Sequence, residues 1–272
     1  MDLALLMGLL GFETARTSKL RYLLPRIQCS GSTAFRDAVI QGNELMLKLF
    51  SLFVKEGLHD KFQIVHVVLT DGDDCASQTS HQDFLKYQLY LYSQLPPQML
   101  KTFYIGVNLE NNSTVRQQMK QIIDCSCESA QYYSINSNGI NEIFQKIQMQ
   151  IGIEVQQRGL VMKNEHMTIG LMQEKYRPVV QITVNNYIVI FTLDISGSME
   201  NNWPKVCGAV SGFLDNLGEN DLVLGITFNN QVNIITKPQL ENRIQNSPPP
   251  RPHLPQSYSN GPDEGYYCCN IF

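Results

Sequence analysis

One short segment carries oxygen-bearing side chains at a spacing that could hold a cation. Asp194-Ile195-Ser196-Gly197-Ser198 follows the most apolar β-branched run of the chain, 187–193, and precedes a helical pattern at 206–217. Asp194, Ser196 and Ser198 are all oxygen donors spaced at two, so they can curl around one point, and Gly197 permits the sharp turn. A hard divalent cation such as Mg²⁺ takes oxygen ligands in octahedral geometry and keeps several waters. In an open parallel sheet, ligands bind beyond the carboxyl ends of the strands, which is where this loop would stand. Taken alone, the string also fits an ordinary turn with a helix cap, where Ser and Asp are favoured. Ser30-Gly31-Ser32-Thr33 leads into a helical pattern, and Thr70-Asp71-Gly72-Asp73 ends a buried apolar run.

Asp-x-Ser-x-Ser after a buried strand resembles the first motif of the von Willebrand factor type A family. The 30–37 segment resembles that family's threonine loop, which puts Thr33 in the site. The 67–73 segment resembles its aspartate motif, which adds Asp71. The resemblance implies a metal-ion-dependent adhesion site. Ser196, Ser198 and Thr33 would touch the metal directly, and Asp194 and Asp71 would act largely through water. The cation would be Mg²⁺, with Mn²⁺ or Ca²⁺ as alternatives, and a partner protein's Asp or Glu carboxylate would fill the open position.

The order of the motifs departs from the family. There the Asp-x-Ser-x-Ser strand comes first; here it follows the threonine and aspartate motifs. Residues 1–153 read as the back part of such a domain, 154–185 as a connector, 186–240 as the front part and 241–272 as a proline-rich disordered tail. Three arrangements compete: circular permutation within one closed domain, a fragment spanning two incomplete domains of a tandem array, and exchange between two molecules as a domain-swapped dimer. Burial favours closure, because the run 187–193 without a neighbour at 62–69 would leave two apolar strand edges open to aggregation.

The elements that must position these residues alternate. Apolar runs at 62–69, 102–107, 187–193, 222–228 and 232–235 read as strands, the near-continuous ones buried on both faces as in a parallel sheet. Helical patterns occupy 35–54, 84–95, 115–123, 140–151 and 206–217, and 179–184 reads as a short additional strand. The β runs on either side of Asn229-Asn230 meet at a tight polar turn, hence a hairpin with one antiparallel strand at the edge. The expected fold is an α/β, three-layer Rossmann-like sandwich with a mostly parallel sheet. His66 falls in an apolar strand and reads as a packed core histidine. Asp73 and Asp74 read as solvated loop acids, and Trp203-Pro204 as a packed helix start.

Composition narrows the function. The chain has 272 residues, 43% hydrophobic, with a formal net charge of -4 and no basic stretch. Nucleic acid is therefore not the expected partner, since phosphate binding needs clustered Lys and Arg. No nucleophile–base pair, phosphate-cradling glycine loop or zinc motif occurs, so a binding module is expected rather than an enzyme. The alternatives are a metal-dependent phosphohydrolase on a similar sheet and a non-functional fragment of a tandem protein. Seven cysteines, an odd number with no pair at metal-ligand spacing, read as reduced thiols of a cytoplasmic protein. The apolar opening, 1–12, lacks a basic start and reads as a helix or an irregular segment, with a secretory signal as the alternative.

The final four residues, Cys269-Asn270-Ile271-Phe272, fit a prenylation box on Cys269. Against it, Asn270 is not aliphatic and no polybasic run precedes the box; a single prenyl chain also anchors weakly. Any membrane association is expected to run through this C-terminus alone. If so, membrane partitioning of the full chain is lost in Cys269→Ser, and partitioning that survives that change rules lipidation out as its cause.

Overall fold

The structure, a computed structural model, describes residues 8, 10–59, 61–96, 99–126, 128–151 and 186–235. The connector, the short strand expected at 179–184 and the tail with Cys269 lie outside the described residues.

Seven strands form one sheet: β1 (Glu13–Thr14), β2 (Phe62–Thr70), β3 (Leu100–Val107), β4 (Ala130–Ile135), β5 (Asn186–Asp194), β6 (Leu222–Phe228) and β7 (Val232–Ile234). Their order is β1-β6-β5-β2-β3-β4, with β7 also against β6. The five strands from β6 to β4 are mutually parallel. β1 and β7 run antiparallel along the outer edge of β6, β1 beside its start and β7 beside its end. The antiparallel edge is thus two short segments rather than the one strand expected, and the hairpin at Asn229-Asn230 is present. The sheet is a single body built from both halves of the chain: β5 and β6 sit between β1 and β2.

Strand periodicity sorts the core into two layers. Ile64, Val68, Tyr104, Ile188, Ile190, Leu224 and Ile226 face one side. Val65, Val67, Leu69, Phe103, Val189, Phe191 and Val223 face the other. The first side is covered by α2 (Phe35–Glu56), α3 (His81–Gln94) and α4 (Ser113–Asp124). The second is covered by α5 (140–151), α6 (Trp203–Asp215) and the one-turn helix α1 (Leu20–Leu23). Phe191 meets Phe213 edge-on at 5.4 Å, and Phe144 stacks on Phe191 at 6.3 Å. Such aromatic pairs each contribute about 0.5–1.5 kcal/mol beyond their buried area. They fasten α5 and α6, which belong to different halves, over β5.

Local chemistry sets the helix ends. α2 stops at Gly57, left-handed at φ 68°, whose N–H donates to the Phe53 and Val54 carbonyls. Ser80 caps α3, accepting from Asp83 N and donating to the Asp83 carboxylate. Asn112 caps α4 by accepting from Val115 N. Trp203 opens α6 as a packed residue, its indole N–H donating to the Leu24 carbonyl at 3.1 Å.

His66 lies fully buried beneath α2. Its Nε2 meets Thr192 Oγ1 at 2.8 Å, and its Nδ1 has no partner among the described residues. α2 passes directly over the ring at Gly42, where a Cβ would lie 3.0 Å from the imidazole. Burial lowers the His66 pKa to about 3, so the ring is neutral at pH 7. A depressed histidine stabilises the fold above its unfolded pKa and loses that contribution as pH falls below it. Wild type is expected to lose on the order of 2 kcal/mol between pH 7 and 4.5 through this group. His66→Gln keeps a partner for Thr192 and is expected to flatten that slope, as read from urea melts across the pH range.

Candidate metal centre

The five predicted site residues arrive from three loops at the carboxyl ends of the strands. Asp194 is the last residue of β5, with Ser196 and Ser198 in the tight turn that follows. Asp71 directly follows β2, and Thr33 precedes α2. Because β2 and β5 are parallel neighbours in register through Leu69↔Leu193, their loops must leave the sheet side by side. That register brings residues from distant parts of the sequence together.

Hydrogen bonds lace the loops. Asp194, buried at 0% exposure, accepts from Ser196 N on Oδ1 at 2.8 Å and from the Thr70 hydroxyl on Oδ2 at 2.6 Å. The Ser196 and Ser198 hydroxyls stand 3.0 Å apart, and Ser198 donates to Asp71 Oδ1 at 2.7 Å. Gly197 N donates to the Gly31 carbonyl at 3.1 Å, and Ser30 N to the Ile195 carbonyl at 2.8 Å. The Thr33 carbonyl accepts from Cys75 N and Ala76 N, and Ala34 N donates to the Asn229 carbonyl. The Asn229 amide donates in turn to the Ser30 carbonyl at 2.9 Å. Thr33 is therefore bracketed by the Asp71 loop on one side and the β6–β7 hairpin on the other.

Gly72 lies beside the Thr33 and Ser198 hydroxyls. A Cβ there would lie 3.2 Å from Thr33 Oγ1 and 3.9 Å from Ser198 Oγ, so hydroxyls from two loops face one small space that a side chain would fill. The electrostatics suit a cation. Burial pushes Asp194 up to about 6 from its ordinary 3.8, against the hydrogen bonds from Thr70 and Ser196. Burial also raises Asp71, against hydrogen bonds from Ser198 and Asn202. Two acids held partly out of water gain from a nearby positive charge. Only two carboxylates take part, and among the described residues no cluster of three or more His, Cys, Asp or Glu side chains stands where it could hold a metal. The remaining donors are hydroxyls, which suit a hard ion that keeps some of its water. Thr33, Ser196, Ser198, Asp71 and Asp194 thus fit such an ion.

Two further participants carry no assigned role in the motifs: Thr70, within the 67–73 segment, and Asn202 turn toward the carboxylates only in the folded geometry. Asp74 differs from its expectation as a solvated acid. It pairs with Arg36 at 3.3 Å and accepts from Arg36 N at 2.8 Å, closing the start of α2. Asp73 accepts from Asn112 at 2.8 Å. Cys29, packed behind the loops, is pushed up to about 11 by burial and by the neighbouring acids, which keeps its thiol protonated.

No family model matches the chain and no curated protein sequence does. Among solved structures, the chain is similar to an uncharacterized protein from Alicyclobacillus acidocaldarius subsp. acidocaldarius DSM 446. The TM-score is 0.42 and the sequence identity 17%, over 64% of this chain and 79% of that one. A likeness of that degree carries no argument about function.

Gly31 shows how tightly the loops are set. Its φ is +80°, and a Cβ would lie 2.8 Å from Asn230 Oδ1. Gly31→Ala is expected to destabilise the fold by roughly 1–2 kcal/mol. Gly208→Ala, in α6 with nothing within 4 Å of the added carbon, is expected to stabilise by about 0.5–1 kcal/mol. Urea midpoints at unchanged slope read both changes.

Proposed function

We propose that this chain is a divalent-cation-dependent protein-binding module. Its cation is Mg²⁺, or Mn²⁺ or Ca²⁺ in its place, and its partner is a protein that offers an Asp or Glu carboxylate. One observation supports the reading: the Thr33 and Ser198 hydroxyls face the space beside Gly72, and a run of hydrogen bonds links Ser198 to Asp71 and Ser196, and Ser196 to Asp194. The resemblance to the von Willebrand factor type A motifs names the same five residues.

Thr33, Ser196 and Ser198 would hold the ion through neutral oxygens. Asp71 and Asp194 would balance its charge through water, since their oxygens already accept from Ser198, Thr70 and Ser196 N. Such a bound ion supplies an electrophile for a partner's carboxylate. With no carboxylate in direct contact, the ion would keep its electrophilic character on the side open to solvent, which favours an anionic group from outside. The phosphohydrolase alternative gains no support from this geometry: both Asp194 oxygens are engaged, so that carboxylate does not stand ready as a nucleophile.

A ligand that binds only the folded state stabilises it by about 4 kcal/mol at a thousand times its Kd. The full chain is therefore expected to melt cooperatively and at higher temperature in millimolar Mg²⁺ than in excess chelator. The increment disappears in Asp194→Ala and in Thr33→Ala. Capture of a carboxylate-bearing partner follows the same dependence. A melting temperature indifferent to Mg²⁺, Mn²⁺ and Ca²⁺ contradicts the reading, as does partner capture that persists in chelator.

A further inference from the structure

We propose that Thr70 is a positioning residue of the cation site, tying the Asp194 carboxylate and the Asp71-Gly72 turn into one unit. The proposal rests on the reading of the site as a cation cradle. Thr70 closes β2 and is buried at 2% exposure. The β2–β5 register runs through Leu69↔Leu193, so the next residues, Thr70 and Asp194, stand across from each other at the ends of adjacent strands. Parallel register places their side chains on the same face. The Thr70 hydroxyl donates to Asp194 Oδ2 at 2.6 Å and accepts from Gly72 N at 3.3 Å. Ser196 N takes the other Asp194 oxygen at 2.8 Å. With one donor on each oxygen, the carboxylate cannot rotate about its own axis without breaking a buried hydrogen bond. Through Gly72 N, the same hydroxyl sets the turn that carries Asp71 and faces Thr33 Oγ1.

Neither acid needs to touch the ion for this to matter. Groups that orient the residues around a metal typically change its affinity by about 10–100-fold when removed. Threonine suits the position doubly. Its β-branched carbon favours the strand, and its hydroxyl supplies the one hydrogen that Asp194 Oδ2 receives from β2. Valine has the same shape and strand preference and lacks only that hydrogen and its acceptor lone pairs. Serine keeps them.

The test titrates the full-length chain with Mn²⁺, following free Mn²⁺ by its paramagnetic resonance signal, with Mg²⁺ as competitor. Thr70→Val is expected to weaken Mn²⁺ binding at least about tenfold, and Thr70→Ser to stay within about twofold of wild type. In an Asp194→Asn background the valine substitution is expected to add little, because the partner it serves has changed. Circular dichroism of the metal-free variants establishes that they are folded. Should Thr70→Val not fold, Thr70→Ala takes its place with the same expected readings. A folded Thr70→Val or Thr70→Ala that binds Mn²⁺ like wild type overturns the proposal and leaves the cation site standing. Wild type that binds neither Mn²⁺ nor Mg²⁺ overturns the cation reading itself, and the proposal with it.

Discussion

The pairing of β2 with β5 joins residues from the two halves of the chain, from Phe62↔Asn186 to Leu69↔Leu193. Both strands are buried almost throughout. Without the other, each would expose an apolar edge and a row of unpaired backbone groups, an arrangement prone to aggregation. Everything at the candidate site follows from this ladder. It sets Thr70 level with Asp194, sends the Asp71 and Ser196–Ser198 loops out together, and leaves room for the Thr33 loop above Gly72. The aromatic contacts of Phe144 and Phe213 with Phe191 reinforce the same junction from behind.

The loops are held by hydrogen bonds rather than by apolar packing, as buried polar groups require. Backbone groups make most of the links: Gly197 N to Gly31, Ser30 N to Ile195, and Ala34 N to Asn229. Side chains then aim the donors, Thr70 at Asp194 and Ser198 at Asp71. This division keeps the hydroxyl oxygens placed without a third acid, and so without the repulsion a denser carboxylate cluster would bring. Asp74 belongs to the scaffold for the same reason. Its charge is spent on Arg36 and the start of α2.

Much of this was readable from residue order. Runs such as 187–193 and 222–228 are long, apolar and β-branched, and the structure places β5 and β6 there within one or two residues. The helices fall where three- and four-residue spacings put them, with starts extended by caps such as Ser80 and Asn112 that lie outside the apolar pattern. β4 escaped because it is an edge strand: Gln131 and Ser134 are exposed, so it shows no apolar run. β1 is too short to carry a period at all. The five candidate oxygen donors were singled out by resemblance to a motif set, and the structure brings their loops out at the carboxyl ends of neighbouring strands. The bonding roles of Thr70, Asn202 and Asn229 were not legible, since they depend on the pairing of β2 with β5 and on loops that are far apart in sequence.

The convergence of three loops on one ion is open to direct observation by nuclear magnetic resonance. Mn²⁺ broadens amide signals steeply with proximity, whatever the order of the residues along the chain. With substoichiometric Mn²⁺ added to the isotope-labelled full chain, the account predicts that signals of residues 30–34, 71–73 and 194–199 vanish together at one concentration, and that excess Mg²⁺ restores them together. Broadening confined to one of these segments, or spread diffusely over exposed acids such as Glu110 and Glu200, would contradict it.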